Sequence, residues 1–179
     1  NDDSYKGISL VCEAWVFSLL TDTYGDVPFK EANKGKFGLV EPAFDSQKEI
    51  YSALLAKLEE GNTLLTANKA IDVASDPVYK GDIMLWRKFC NSLHLRLLLR
   101  LSGKQEVAST MIAKIKEMVD TNPSKYPVFS SNAESAVLKW NGTTTTTDPY
   151  TNPYAISLRE NDFTIPSMCN FFILKLDDW

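Results

Sequence analysis

Apolar residues recur at helical spacing as far as Thr121 and lose that order beyond it. The first helix is predicted from Ser4 to about Asp22. Ile8, Cys12, Trp15 and Leu19 fall on one stripe at i, i+4, i+7 and i+11, with Val11 beside it. Ser4 is placed to cap its start. Gly25 and Pro28 stop it, since glycine takes a left-handed turn and proline cannot continue a helix. A polar connection through Lys34-Gly35-Lys36-Phe37-Gly38 follows and closes at Pro42.

The second helix is predicted from about Ser46 to Thr66. Ser46 and Glu49 have the spacing of a capping box, and Ile50, Leu54, Leu58 and Leu65 form its buried stripe. Residues 67–81 read as a loop. The third helix, Asp82 to Leu101, carries Trp86, Phe89, Cys90, Leu93, Leu97 and Leu101 on one side and Leu95, Leu98 and Leu99 on the other. A helix that is apolar on two sides needs cover on two sides. Ser102-Gly103 ends it. A fourth helix, about Lys104 to Asp120, presents Val107, Met111, Ile112, Ile115 and Met118 or Val119.

Two successive helix pairs with apolar faces predict a mainly α fold of stacked, tetratricopeptide-like helical hairpins over residues 1–121. Residues 122–179 read as an irregular, loop-rich part of the same larger domain. Four prolines and the run Thr143–Thr147 interrupt its first two-thirds. A short strand is predicted at Ser135–Trp140 and a last helix from Pro166 to Leu176.

Composition narrows the function. The 179 residues are 44% hydrophobic and 23% charged, with net charge −4 and no basic run. That excludes a nucleic-acid partner, which needs clustered cations. Cys12, Cys90 and Cys169 are too widely spaced for a zinc site in a chain with one histidine, so no metal is expected. Cys12 and Cys90 read as buried thiols. No run of about 20 apolar residues is present to span a membrane. The chain opens on Asn1-Asp2-Asp3 and stops at Asp177-Asp178-Trp179, so both ends read as cut.

Chemistry is sparse. His94 lies in a leucine-rich helix, away from any nucleophile pattern. Arg96 and Arg100 read as partly buried cations paired with Glu13 or Asp26. Asp26, Asp76 and Asp82 each adjoin a glycine, a proline or a helix start, where a carboxylate accepts backbone N–H groups. None forms an acid/base pair, so no catalytic residue and no cofactor are predicted. The binding candidates are Trp140, Asn141, Tyr150, Asn152 and Tyr154. Flat rings stack on the apolar faces of sugars, and the asparagines can hydrogen-bond hydroxyls. The competing reading is that the aromatic residues between Tyr126 and Tyr154 pin long loops to the helical core.

Four stretches carry a resemblance. They are Tyr24-Gly25-Asp26-Val27-Pro28-Phe29; Gln47-Lys48-Glu49-Ile50-Tyr51; Asp76-Pro77-Val78-Tyr79 with Trp86-Arg87-Lys88-Phe89-Cys90-Asn91-Ser92-Leu93; and Asn152-Pro153-Tyr154 with Arg159-Glu160-Asn161-Asp162-Phe163. In this order they resemble the SusD/RagB family of outer-membrane nutrient-binding lipoproteins. The resemblance implies a helical scaffold and non-enzymatic capture of an oligo- or polysaccharide. It implies a TonB-dependent SusC-like transporter as partner. It also implies an outward-facing place on the outer membrane of Bacteroidetes, held by a lipid anchor that this chain does not contain. It hands over no ligand residues, because the matched motifs read as turns, caps and buried stripes. The alternative is a helical-repeat protein–protein interaction module without a small ligand.

Overall fold

The computed structural model describes residues 2–140 and Thr151. The chain divides into a first unit, Asn1–Val137, and a second, Leu138–Trp179. Four α-helices form the first unit: α1 (Asp2–Tyr24), α2 (Gln47–Leu65), α3 (Ile83–Leu101) and α4 (Ala108–Lys116). The expected mainly α architecture is therefore present. A π-helical turn, Glu117–Thr121, extends α4. The segment Lys104–Val107, expected to open that helix, is a turn in which the Lys104 carbonyl accepts the N–H groups of Val107 and Ala108. Ser135–Trp140 is not a strand. No ladder partner lies beside it among the described residues, and an unpaired strand leaves its backbone groups unmet. The helix expected at Pro166–Leu176 lies outside the described residues.

α2 and α3 begin where their caps place them. Ser46 and Glu49 close the capping box at the start of α2. The Asp26 carboxylate adds a further acceptor, for the N–H of Gln47 at 2.9 Å. Asp82 caps α3 by accepting the Leu85 N–H at 3.1 Å. All four residues of the expected α2 stripe are buried.

α1 differs from expectation. Ser4 is inside the helix, not its cap, and its hydroxyl donates to the Lys69 carbonyl at 2.7 Å. The face turned inward carries Ser4, Gly7, Leu10, Val11, Ala14, Ser18 and Thr21. Trp15 and Leu19, expected inside, are 43% and 47% exposed. The small residues let two backbones meet. A Cβ on Gly7 would stand 2.8 Å from Leu65 Cγ, and a Cβ on Gly61 would stand 3.5 Å from the Gly7 carbonyl oxygen.

α3 lies between two apolar clusters, as its two-sided pattern requires. Trp86, Cys90, Leu93 and Leu97 join Val11, Ile50, Leu54 and Leu58 in the main core. Leu98 joins Met118 and Tyr126 in the second, with Leu95, Met111 and Ile115 packed against it.

Candidate functional site

Of the five expected ligand contacts, Trp140 is described and is 45% exposed. Asn141, Tyr150, Asn152 and Tyr154 lie outside the described residues, as does Cys169. The functional reading therefore turns on what the helical unit's polar groups are doing.

Asp76 is fully committed to structure. It is 3% exposed. One carboxylate oxygen accepts the N–H groups of Val78 (3.0 Å) and Tyr79 (3.1 Å). The other accepts the Gly81 N–H (2.9 Å) and the Trp86 indole N–H (2.8 Å). Burial acts to raise its pKa, but these four donors outweigh burial and hold it below the usual carboxylate range. The Asp-Pro-Val-Tyr stretch and the tryptophan ten residues on are thus one device. An indole is anchored in a turn, and the Tyr79 ring stands edge-on to it at 5.2 Å.

A polar seam runs along the adjoining face of α3, one residue on from the Trp86 stripe, and ties residues 125–127 to α2 and α3. Arg87 donates to Asn62 Oδ1 (2.9 Å) and to the Lys125 carbonyl (2.7 Å). The Asn91 amide donates to Asn62 Oδ1 (3.0 Å) and to the Pro127 carbonyl (3.1 Å). The Tyr126 hydroxyl donates to Glu59 and accepts from Lys114, both at 2.7 Å. Phe129 stacks on Phe89 at 6.2 Å, and its N–H is accepted by the Ser92 hydroxyl. Tyr126 and Phe129 therefore pin a connection to the helices.

His94 is buried in this seam, with Nδ1 4.0 Å from Glu59. Burial, only partly opposed by Glu59, pushes its pKa down to about 4, so the imidazole is neutral near pH 7. Cys90 is inert: burial raises its thiol to about 12, and its sulfur donates to the Leu58 carbonyl. Cys12 is only half-buried.

The arginine expectations are corrected. Arg96 is exposed. Arg100 is also mostly exposed and pairs with Asp22 at 3.1 Å, while Glu13 pairs with Lys57 and Asp26 caps α2. Asp26 and Glu13 were already engaged, and the last turn of α1 brings Asp22 to α3. Asp22 also accepts the Tyr51 hydroxyl at 2.6 Å. These three residues form one wall of a cleft of about 660 Å³ that also includes Leu55, Leu101 and Met111. The size suits a small molecule. The carboxylate is held by a phenol and a guanidinium, so the wall is a closed pair and not a free acid. Among the described residues no cluster of three His, Cys, Asp or Glu side chains could hold a metal ion. No described helix is long and apolar enough to cross a membrane.

This scaffold of caps, anchored rings and a pinned connection has known counterparts. The family model described as "SusD-like_2: Starch-binding associating with outer membrane" matches residues 1–179. The chain belongs to the SusD-like family. A SusD homolog from Bacteroides fragilis shares 29% identity at TM-score 0.65, over 78% of this chain and 29% of that one. A SusD homolog from Bacteroides uniformis shares 28% at TM-score 0.69, over 88% and 30%. A chitin-binding SusD homolog from Flavobacterium johnsoniae shares the fold at 23% identity and TM-score 0.63, over 76% and 29%. This SusD-like chain thus spans about three-tenths of the length of these structures. No curated protein matches it. Among the described residues, the motifs that carried the resemblance are structural: Gly25 is left-handed at φ 78°, Asp26 accepts at the start of α2, and Asp76 anchors Trp86. The stretches Asn152–Tyr154 and Arg159–Phe163 lie outside the described residues.

Proposed function

We propose that this chain belongs to a surface protein that captures an oligo- or polysaccharide and passes it to a TonB-dependent SusC-like transporter without hydrolysing it. The family match over residues 1–179, to a model described as starch-binding and associated with the outer membrane, carries this reading. The chitin-binding relative supports a glycan as ligand. The commitment of Asp22, Asp26, Asp76 and Asp82 to caps, turns and ion pairs supports capture over hydrolysis, which needs a free pair of carboxylates. Residues 1–121 serve as scaffold. Residues 122–179 bear the ligand contacts, with Trp140 and Tyr150 and Tyr154 stacking on sugar rings and Asn141 and Asn152 bonding hydroxyls. A lipid anchor holds the protein outward-facing on the outer membrane.

Calorimetric titration of the full-length protein against starch, chitin and other glycan fragments tests the reading. Binding to at least one glycan, weakened by Trp140→Ala with the melting temperature unchanged, is the expected result. Binding to peptides but to no glycan overturns it, and polysaccharide turnover abolished by one Asp or Glu substitution overturns the non-enzymatic part.

A further inference from the structure

The connection between α1 and α2 ends in a tip that is both apolar and cationic. Its base is closed by the paired backbones of Val27 and Asp45, whose N–H groups donate to each other's carbonyls at 3.3 and 3.0 Å. A second clasp joins Glu31 to the Ala43 N–H at 2.8 Å. Asp45 accepts the N–H groups of Phe29 and Lys30 as well. The tip itself is a tight 3₁₀ turn, Gly35–Phe37, closed by Gly38 at φ 88°, a left-handed conformation that favours glycine. This hydrogen-bonded loop nevertheless leaves Phe37, Val40 and Phe44 exposed by 76%, 80% and 72%.

The loop from Ala32 to Phe44 carries two cations, Lys34 and Lys36, against one exposed acid, Glu41, so its charge is net positive. Both lysines are exposed and, among the described residues, neither makes an ion pair; Lys36 lies 5.1 Å from the centre of the Phe37 ring. A loop held this firmly has already lost its conformational freedom, so little further ordering opposes its docking. Lysine is depleted at protein–protein interfaces. Lysine beside phenylalanine and aliphatic residues is instead the pairing found at the lipid boundary, where apolar side chains enter and ammonium groups stay with the headgroups.

We infer that the Lys34–Phe44 loop is a membrane-surface contact, in which Phe37, Val40 and Phe44 enter an anionic lipid layer and Lys34 and Lys36 meet its phosphates. The inference rests on the loop's own geometry and is independent of the glycan reading. Sedimentation of the full-length protein, expressed soluble and unacylated, with phosphatidylcholine vesicles with and without phosphatidylglycerol tests it. The protein is expected to partition into the anionic vesicles, less so at raised salt. The triple variant F37S/V40S/F44S is expected to lower that partition at least about tenfold, since burying one such side chain is worth roughly tenfold or more. The pair K34E/K36E is expected to abolish the preference for anionic lipid. All five side chains are exposed, so both variants keep the helical circular-dichroism melt. Absence of partition into either vesicle overturns the inference, as does equal partition by the triple variant. Loss of a protein partner by that variant, with partition unchanged, overturns it too and makes the loop a protein interface.

Discussion

The two sides of α3 are built on different principles. Toward the apolar faces of α1 and α2 it packs Trp86, Cys90, Leu93 and Leu97 into the main core, beside which the buried carboxylate of Asp76 has four donors. Toward residues 125–127 and the polar Glu59 and Asn62 of α2 it presents Arg87, Asn91 and His94, and there Asn91 Oδ1 and His94 Nδ1 are buried without a hydrogen-bond partner among the described residues. Packing specifies the first side and polar pairing the second. The first should therefore be intolerant of lost atoms and added volume. The second should be sensitive to protons.

Asp76→Ala gives the largest expected effect. It strands the Trp86 indole N–H and three backbone N–H groups in a buried turn. Each orphaned donor costs about 1–3 kcal/mol before the turn relaxes, so a net loss of about 3–5 kcal/mol is expected in urea unfolding. Because the folded pKa of Asp76 is lowered, its contribution is complete above the ordinary carboxylate value and disappears as pH falls through the lower folded value. A loss under 1 kcal/mol would place the organisation of this turn in the backbone and not in the carboxylate.

The polar side should respond to pH. His94 has a folded pKa of about 4 and an ordinary value of 6.5. Between those two values the unfolded chain binds a proton that the folded chain refuses, so stability rises with pH across that window and is complete above it. The expected change is about 3 kcal/mol, and His94→Leu should flatten it. The chain has one histidine, so its ring resonance in a proton NMR titration is unambiguous. A midpoint near 4 sharpens the contrast between the two sides; a midpoint above 6 erases it.

What the sequence revealed follows the same divide. α2 and α3 were readable because large side chains do their packing and their caps, Ser46 with Glu49 and Asp82, are local signals. α1 was misread because its inward face is small: Gly7, Ala14, Ser18 and Thr21 carry little hydropathy, whereas Trp15 and Leu19 carry much and face out. The seam was missed because Asn62, Arg87 and Asn91 are polar residues in helix interiors, which hydropathy assigns to solvent. Their one visible signal was the i, i+4 spacing of Arg87 and Asn91 in an otherwise apolar helix. Asp76 was recognised as a turn residue, but its bond to Trp86 joins positions that only the folded turn brings together. Of the expected ligand contacts, Trp140 alone falls among the described residues. A family resemblance read on scaffold motifs identifies the frame and leaves the ligand side to experiment.

The α1–α2 crossing allows the finest test, because two glycines face each other there with unequal room. A Cβ on Gly7 would stand 2.8 Å from Leu65 Cγ and 2.9 Å from Leu65 Cδ2, inside any real contact distance. Leu65 is buried, so it has little space to retreat. Gly7→Ala should thus cost about 1–3 kcal/mol through overpacking, despite alanine's better helix propensity. On the other helix, a Cβ on Gly61 would meet Cys90 Sγ and the Gly7 carbonyl oxygen at 3.5 Å and Val11 Cγ2 at 3.6 Å, which are ordinary contacts. There alanine's gain in propensity, about 0.5–1 kcal/mol, should survive, and Gly61→Ala should be neutral or mildly stabilising by thermal melting. Equal destabilisation by both substitutions would mean that the helices cannot separate even slightly at this crossing, and that the packed side of α3 is more rigid than its contact distances require.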